Sequence, residues 1–156
     1  TEDAKTYEPD EDYIIPLGKA NIVLEADPAA VDSGESVGII TYGMGVYWAI
    51  AAAERFSGKV EILDLRTLNP CDEEAIMAQA KKHGKILVLT EETLRNSFAE
   101  AIAGRIARDC FQHLDAPVQT LGSANLPAVP LNMGLEKVML PNADKVSEKI
   151  DWLLQF

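Results

Sequence analysis

The sequence predicts an α/β fold in which helices cover both faces of a mostly parallel sheet. Four short apolar segments alternate with segments of helical pattern, which is typical of parallel strands joined by helical crossovers. The segment at 37–42 (VGIITY) is continuously apolar, as strands buried on both faces usually are. A chain of 156 residues suffices for one good core, so we expect a single domain.

Residues 1–19 are predicted to form an extended acidic arm or linker ahead of a domain at 20–156. This arm (TEDAKTYEPDEDYIIPLGK) is rich in acids, contains two prolines and has no helical period. The short apolar segment at 21–26 (NIVLEA) is a strand candidate, which we place at one edge of the sheet in antiparallel orientation. The stretch at 27–36 (DPAAVDSGES) has the composition of turns.

Helix and strand signals alternate through the rest of the chain. Asp72 is a predicted N-cap for a helix that runs to His83 and ends at Gly84. Ser97 and Glu100 form an S-x-x-E capping box that opens a helix to about residue 110. The other predicted elements are strands at 60–65, 85–90 and 118–122, a helix at 46–56, a Pro-rich loop at 123–141 and a last helix capped by Asn142 with an apolar stripe of Val146, Ile150, Leu153 and Leu154.

The charge of the chain, −11 at pH 7, is unevenly distributed. Residues 1–36 carry ten acidic and two basic side chains, a net charge of −8, and the other 120 residues carry −3. Acidic surfaces repel phosphate backbones, so we expect no nucleic-acid partner, whereas a basic protein partner stays open. A solvated arm is the simpler explanation of the acidic start. No apolar segment is long enough to span a membrane, so we expect no membrane partner.

Cys71 and Cys110 lack the spacing of metal ligands. The simplest interpretation is a pair of reduced thiols in a cytoplasmic protein. The first residue is Thr rather than Met, so we expect a processed chain or a piece of a longer one.

The turn in ITYGMGVYWA (40–49) raises the question of whether it holds a cofactor phosphate. Gly43 and Gly45 are the first two glycines of a G-x-G-x-x-G pattern, and Asp64 lies 21 residues after Gly43, where a ribose-binding acid would be. The third glycine position is Trp48, and its indole is expected to hold the helix away from the strand. We therefore interpret the turn as a connection between packed elements, with a free-standing nucleotide-binding domain as the less favoured alternative.

Three charged residues follow predicted strands at the carboxyl edge of the sheet, where open α/β sheets usually bind ligands. Arg66 follows the strand at 60–65, and Glu91 and Glu92 follow the strand at 85–90. They are candidates either for a substrate site or for a structural ion-pair network. We favour the structural ion pairs, because such networks often join loops without catalysing anything.

Neither histidine is a convincing catalyst. His83 lies at a predicted helix C-terminus, where the helix dipole stabilises a cation. His113 lies in a loop and has no Ser, Cys or His partner at a useful spacing. No nucleophile, base and orienting group come together in the sequence, so we predict no catalytic residues, no cofactor-binding residues and no metal site in this chain.

Several motifs occur in an order that indicates a family. They are DYIIPLGKANIVLEA, TYGMGVYWAIAAAE, LDLRTLNPCDEEAI, GKILVLTEE, FQHLDAPV and VPLNMGLEKVMLPNADKV. Together they resemble the C-terminal, transketolase-type domain of the beta part of thiamine-dependent 2-oxoacid dehydrogenases, over residues 12–156. The resemblance implies a three-layer α/β/α sandwich around a five-stranded, mostly parallel sheet with one antiparallel edge strand.

The resemblance also implies where the chemistry of the whole enzyme lies. In this family thiamine diphosphate and Mg²⁺ support decarboxylation of a 2-oxoacid, and the acyl group passes to lipoyl groups on an acyltransferase. The cofactor lies between an alpha part and the pyrimidine-binding domain of the beta part, so this chain alone is expected to bind none and to be inactive. The domain is expected to serve beta–beta self-association and docking of the acyltransferase's subunit-binding domain.

Two residues are docking candidates by this resemblance. Asp115 stands in the LDAPV segment, near the docking surface of the family, and Phe156 is an aromatic residue with a free carboxylate at the end of the chain. Both would suit a basic module through charge-assisted hydrogen bonds. Alternatively, Phe156 covers the end of the last helix and Asp115 caps a turn.

The segment LPAVPLNMGLEKVMLPNADKV (126–146) resembles the branched-chain, 2-oxoisovalerate type slightly more than the pyruvate type. The same domain of a pyruvate- or acetoin-type dehydrogenase, or of a transketolase, is the alternative. The segment at 27–36 is longer than the family leads us to expect.

Overall fold

A computed structural model of the chain describes residues 10–156. The first nine residues of the predicted acidic arm lie outside the described residues. From residue 10 to residue 20 the chain forms turns and irregular structure before its first strand.

Five strands and six helices follow along the chain. The strands are β1 (Asn21–Leu24), β2 (Val37–Thr41), β3 (Val60–Asp64), β4 (Ile86–Thr93) and β5 (Gln119–Ser123). The helices are α1 (Pro28–Asp32), α2 (Met44–Ala53), α3 (Glu73–His83), α4 (Phe98–Asp109), α5 (Met133–Met139) and α6 (Ala143–Leu153), and one 3₁₀ turn spans Phe111–His113.

The strands form one mixed sheet in the order β1-β3-β2-β4-β5. β2 pairs in parallel with both β3 and β4, β4 pairs in parallel with β5, and β1 pairs antiparallel with β3 at one edge. The predicted five-stranded, mostly parallel sheet with one antiparallel edge strand is therefore confirmed. The carboxyl ends of the parallel strands share one edge, the carboxyl edge, and their amino ends share the opposite one, the amino edge.

Helices cover both faces of the sheet, which makes the fold a three-layer sandwich. On one face α2 and α6 pack against a core cluster that includes Ile39, Ile62 and Leu89. On the other face α3 and α4 pack against a second cluster that includes Ile40, Leu63 and Val88. The alternation of these residues along their strands places neighbouring side chains on opposite faces.

Two helices were not predicted. α1 begins with Pro28, whose fixed φ suits a first helical position, although the composition of its segment favours turns. α5 lies within the predicted Pro-rich loop at 123–141, and Asn132 caps it by accepting hydrogen bonds from the backbone N–H groups of Gly134 (2.8 Å) and Leu135 (3.3 Å). The prolines on either side of α5 concealed its short helical pattern.

The predicted N-caps are confirmed, but the capping box is incomplete, because Glu100 accepts a hydrogen bond from the backbone N–H of Asn96 (2.7 Å) rather than from that of Ser97. Asp72 accepts a hydrogen bond from Ala75 N–H (3.2 Å), Ser97 accepts one from Glu100 N–H (3.0 Å), and Gly84 ends α3 with φ at 66°. Asp72 also accepts a hydrogen bond from the backbone N–H of Ala20 (3.0 Å), which fixes the entry to β1 against the start of α3. This bond from Ala20 is the main reason that the pKa of Asp72 is lowered.

Replacing Asp72 with Ala removes a helix cap and the acceptor of the Ala20 N–H. We expect Asp72→Ala to lower the free energy of unfolding by about 1–3 kcal/mol, measured by urea denaturation. Glu148→Ala, which removes an exposed carboxylate in the middle of α6, should change it by less than about 0.5 kcal/mol. Equal losses in the two variants would contradict the capping role.

Candidate functional site

The glycine turn at the carboxyl edge allows α2 to pack closely against β2. Gly43 has φ at 58° and ψ at −131°, a backbone conformation that side-chain-bearing residues rarely adopt. Gly45 is buried, and a Cβ atom there would overlap Thr41 Oγ1. Helix and strand therefore approach closely at Gly45, and our expectation that Trp48 holds them apart is wrong. Trp48 is half-buried and packs against the edge of the core.

A shallow cleft of about 460 Å³ lies in front of this turn and is lined in part by Gly43, Tyr47 and Asp64. One carboxylate oxygen of Asp64 already accepts a hydrogen bond from the backbone N–H of Arg66 (3.0 Å). Asp64 therefore stabilises the turn that follows β3, as expected of a residue at the end of a strand.

Replacing Gly45 with Ala inserts a methyl group where Thr41 Oγ1 already lies. We expect Gly45→Ala to destabilise the fold by about 1–3 kcal/mol in thermal or urea unfolding, because well-packed sites tolerate added volume poorly. Gly104→Ala is the matched control: a Cβ atom at this position in α4 would meet nothing within 4 Å, so this variant should be neutral or stabilising by up to about 1 kcal/mol. The double variant Thr41→Ala/Gly45→Ala should recover part of the loss, and no recovery would contradict this explanation.

The predicted ion pairs of Arg66 with Glu91 and Glu92 need correction. Among residues 10–156, no ion pair within 4.0 Å joins Arg66 to either glutamate. Glu92 instead accepts hydrogen bonds from the Tyr42 hydroxyl (2.8 Å) and from the backbone N–H of Phe98 (2.9 Å) at the start of α4. The Glu92 carboxylate thus accepts a hydrogen bond from a backbone N–H that has no partner within α4. It therefore has hydrogen-bond partners without an ion pair to Arg66.

The Tyr42 hydroxyl lies in the same hydrogen-bonded group and is within 2.8 Å of Thr90 Oγ1. Burial, together with the Glu92 carboxylate, raises the pKa of Tyr42 to about 12. A phenol of this kind stays protonated at physiological pH and donates its hydrogen bond to Glu92, so it acts as a structural link between β2 and β4.

His83 is the last residue of α3, as predicted, but its surroundings do not favour the cation that we expected there. Its side chain is fully buried, Nδ1 lies 2.7 Å from Ser36 Oγ, and Nε2 lies 3.2 Å from Glu61 Oε1. Burial, the strongest effect, lowers the pKa of His83 even though Glu61 acts in the opposite direction. The other carboxylate oxygen of Glu61 accepts a hydrogen bond from Lys82 Nζ (2.5 Å). Sequence reasoning missed this group, although Glu61, which stands between apolar residues in VEILDL (60–65), was a usable signal.

The remaining candidates lie apart. His113 is exposed in the 3₁₀ turn, and both cysteines are free thiols. Burial raises the pKa of Cys71. Within residues 10–156, no group of three or more His, Cys, Asp or Glu side chains is arranged to hold a metal ion. None of the helices described there has the length and apolar composition that a membrane crossing needs.

An apolar cleft of about 660 Å³ lies beside the loop that leads from α4 into β5. We call it the amino-edge cleft. Its largest side chains are Phe111, Leu114, Pro117 and Val118, and Asp115 is the one ionisable residue in its lining. Phe111 is 77% exposed, so an aromatic ring stands unprotected at the rim.

Asp115 is held against the end of α3. Its backbone N–H donates a hydrogen bond to the carbonyl oxygen of Gly84 (2.9 Å). Its carboxylate lies so close that a Cβ atom on Gly84 would overlap Oδ2. Only glycine fits at this contact, and the close approach fixes where the carboxylate stands.

The end of α6 reaches the same edge of the sheet. Ala116 belongs to the same core cluster as Leu153, and Lys149 Nζ donates a hydrogen bond to the side chain of Gln119 (2.9 Å) at the start of β5. Phe156 is 57% exposed and packs edge-to-face on Trp152, with 4.7 Å between ring centroids. Lys149 thus relates the second half of α6 to the start of β5, and both docking candidates, Asp115 and Phe156, are exposed.

Comparison with known families agrees with this fold. A family model described as "Transketolase, C-terminal domain" matches residues 28–146. The chain belongs to this family. The match lies within the predicted domain at 20–156, whose boundary at residue 20 stays a prediction.

Its curated relatives are beta subunits of larger enzymes. The chain is 37% identical over 151 residues to 2-oxoisovalerate dehydrogenase subunit beta of Bacillus subtilis (strain 168), covering 95% of this chain and 44% of the relative. It is 32% identical to the pyruvate dehydrogenase E1 component subunit beta of Rhizobium meliloti (strain 1021), covering 90% and 29%. It is 36% identical to the acetoin:2,6-dichlorophenolindophenol oxidoreductase subunit beta of B. subtilis, covering 88% and 39%. The chain therefore spans less than half the length of these relatives.

Among solved structures, the fold is similar to that of a split-gene transketolase described as an inactive beta4 tetramer. The TM-score is 0.71 at 17% sequence identity, and the alignment covers 94% of this chain and 45% of the other. At this identity the likeness concerns the fold alone.

Proposed function

We propose that this chain is the C-terminal assembly and docking domain of the decarboxylating component of a 2-oxoacid dehydrogenase complex. The observation that carries the proposal is the position of Asp115 at the rim of an apolar cleft, at the edge where α6 ends, in a chain related to dehydrogenase beta subunits. We propose no catalytic role for this chain alone. We propose a cytoplasmic location for the protein.

For the whole enzyme, we propose a branched-chain 2-oxoacid such as 2-oxoisovalerate as the substrate. The identity of 37% to the 2-oxoisovalerate relative supports this choice over the pyruvate relative at 32%. The acetoin-type relative is almost as similar, at 36%. The same domain of a pyruvate- or acetoin-type enzyme or of a transketolase is therefore the alternative.

The thiamine diphosphate and Mg²⁺ of such an enzyme do not fit the residues described here. Within residues 10–156, no group of three or more His, Cys, Asp or Glu side chains is arranged to hold a metal ion, which supports a metal site outside this chain. The start of α2 is packed directly on Thr41 at Gly45, and this contact accounts for the glycine without a ligand. We assign cofactor binding, decarboxylation and acyl transfer to lipoyl groups to the alpha part and the pyrimidine-binding domain, outside this chain.

The amino-edge cleft suits a basic, partly apolar partner, and we propose the subunit-binding domain of the acyltransferase. Phe111 and the apolar floor offer surface that gains free energy when it is covered. The Asp115 carboxylate at the rim can accept charge-assisted hydrogen bonds from Arg or Lys, each contributing about 1.5–3 kcal/mol. We propose that the exposed ring of Phe156 contributes to the same contact.

Titration calorimetry at low salt with a subunit-binding domain from an acyltransferase tests the docking proposal. We expect binding by the unaltered chain, and a loss of affinity of about 10- to 100-fold with Asp115→Asn or with Phe156 removed. Glu91→Gln, which neutralises an exposed carboxylate at the opposite edge, should bind as the unaltered chain does. Failure of all the proteins to bind, or equal losses in Asp115→Asn and Glu91→Gln, would contradict docking at Asp115.

Self-association is the second part of the proposal, and exposed apolar residues at the carboxyl edge support it. Met44 and Tyr47 of α2 are 44% and 57% exposed, and Met133 of α5 is 73% exposed. Trp48 and Met133 line one cleft, so the exposed residues of the two helices are neighbours. An apolar surface of this kind usually marks an interface. We propose that beta–beta contacts cover it, and that Leu131, Leu135 and Val138 extend it.

Sedimentation velocity measures this self-association. We expect the unaltered chain to form dimers or larger species at micromolar concentration and Tyr47→Glu to shift it towards monomer, because burying an unpaired carboxylate opposes association. Phe111→Glu makes the same kind of change at the amino-edge cleft and should leave the oligomeric state unchanged. A chain that is monomeric throughout, or an equal effect of both variants, would contradict this assignment.

A further inference from the structure

We infer that His83 is a positioning residue for Asp115, and that protonation of His83 weakens binding of a basic partner at the amino-edge cleft as the pH falls. The inference rests on the proposed docking function. It adds that pH controls the affinity for the partner through a buried group of three polar side chains, Ser36, Glu61 and His83.

This group, which we call the His83 cluster, joins three separate segments of the chain. Ser36 lies just before β2, Glu61 lies within β3, and His83 is the last residue of α3. The side chains of His83 and Glu61 are 0% and 1% exposed, and Ser36 is also fully buried. Burying an ionisable residue is costly unless it is paired, so this cluster sets the position of the α3 end relative to two central strands.

The contacts define one hydrogen arrangement for the neutral ring. Glu61 as a carboxylate can only accept, so the proton of neutral His83 belongs on Nε2, 3.2 Å from Glu61 Oε1. Nδ1 then accepts the hydroxyl hydrogen of Ser36 at 2.7 Å. The Nε2 contact has poor hydrogen-bond alignment, so a small change at this ring is enough to break it.

A second proton on the His83 ring requires the surrounding hydrogen bonds to rearrange. Nδ1–H would face Ser36 Oγ as a donor, and the Ser36 hydroxyl would need a new acceptor in a fully buried position. Burial opposes the charged form of Glu61, but Lys82 and His83 outweigh this effect and the pKa of Glu61 is lowered. Glu61 is thus already paired with the Lys82 cation, so protonated His83 would place two cations beside one buried carboxylate.

Few charged side chains surround the His83 ring on the elements that pack against it. β3 supplies Glu61 and α3 supplies Lys82. Lys85, just before β4, donates a hydrogen bond from Nζ to the carbonyl oxygen of Gly34 (2.6 Å), and Glu35, next to Ser36, is paired with Lys59 (3.0 Å). The loop before β5 supplies Asp115, which contacts Gly84, and the titratable His113, whose carbonyl oxygen lies beside Gly84. Of these groups, Glu61 is the acid in contact with the His83 ring itself.

Movement of His83 is passed on to Asp115 through a single residue. Gly84 follows His83 directly, holds a left-handed conformation with φ at 66°, and accepts the backbone hydrogen bond of Asp115 (2.9 Å). The Asp115 carboxylate packs on Gly84 with no space between them. Displacing the end of α3 therefore displaces the carboxylate, and the added positive charge nearby also repels a basic partner.

The sign of the pH dependence follows from the lowered pKa of His83. The unfolded or loosened state takes up a proton at about pH 6.5, before the native state does. The stability that neutral His83 gives to the native arrangement of the α3 end is therefore fully present above about pH 6.5. It is lost as the pH falls through the native pKa.

An NMR titration of the ¹⁵N-labelled chain between pH 7.5 and 5.0 tests the link without any partner. We expect the backbone amide of Asp115 to shift with the same midpoint as the His83 ring, and Ser36→Ala to move both midpoints to higher pH, because the neutral ring loses its hydrogen-bond donor. A His83 ring that stays neutral down to pH 5.0, or an Asp115 amide that does not follow it, would overturn the inference.

Calorimetry with the acyltransferase subunit-binding domain at pH 7.5 and 5.0 tests the consequence. We expect the unaltered chain to lose at least about fivefold in affinity at the lower pH, the lower end of typical coupling between sites. His83→Gln should remove this dependence, and His113→Gln, which replaces the chain's other histidine, should keep it. Persistence of the dependence in His83→Gln, or its loss in His113→Gln, would overturn the inference.

The two proposals fail in different ways. If the subunit-binding domain does not bind at any pH, the docking function is wrong, and the Asp115 amide titration still decides whether His83 controls the position of Asp115. If it binds equally well at both pH values, docking stands and the control by His83 is wrong.

Discussion

The complete burial of β2 is the constraint on which the architecture depends. All five of its residues are buried, and it is the middle strand, paired in parallel with β3 and β4. Because its side chains are apolar on both faces, helices must cover both faces. Parallel pairing then requires long crossovers, and α2 and α3 supply them. Polar chemistry is left to the two edges of the sheet.

The close contact of α2 with β2 follows from the same constraint. The crossover leaves the sheet at Gly43 and turns at once into a helix, so the first turn of α2 must lie directly on Thr41. Only glycine at position 45 leaves room for the Thr41 side chain. A turn that resembles a phosphate-binding pattern is thus explained without a ligand, by packing at Gly45 and by the positive φ at Gly43.

The sequence was most informative where one local rule decides the structure. Apolar runs predicted all five strands, and the caps at Asp72, Ser97 and Asn142 predicted where α3, α4 and α6 begin. α5 was missed, because it is short and lies between prolines that outweigh its Asn132 cap.

Contacts between distant segments were beyond local rules. The partners of Glu61 follow it by 21 and 22 residues and come from the end of a helix, so no spacing in the sequence predicts them. The sequence placed Arg66 and Glu92 at the same edge, but it could not reveal that Glu92 is used by Tyr42 and by the start of α4. Likewise, Asp115 was noticed by resemblance, whereas its contact with Gly84 required the fold.

The amino edge shows how local pairing leaves one carboxylate for a partner. Four lysines along this edge have oxygen partners: Lys59 pairs with Glu35, Lys82 with Glu61, and Lys85 and Lys149 donate hydrogen bonds to Gly34 and Gln119. Lys81, in the last turn of α3, forms no ion pair within 4.0 Å among residues 10–156. Asp115 forms no ion pair within 4.0 Å among residues 10–156. The exposed carboxylate of Asp115 is therefore available to a cation from a partner, as the proposed docking requires. The apolar cleft beside it supplies the rest of such a contact, and the His83 cluster behind it determines how firmly the carboxylate is held.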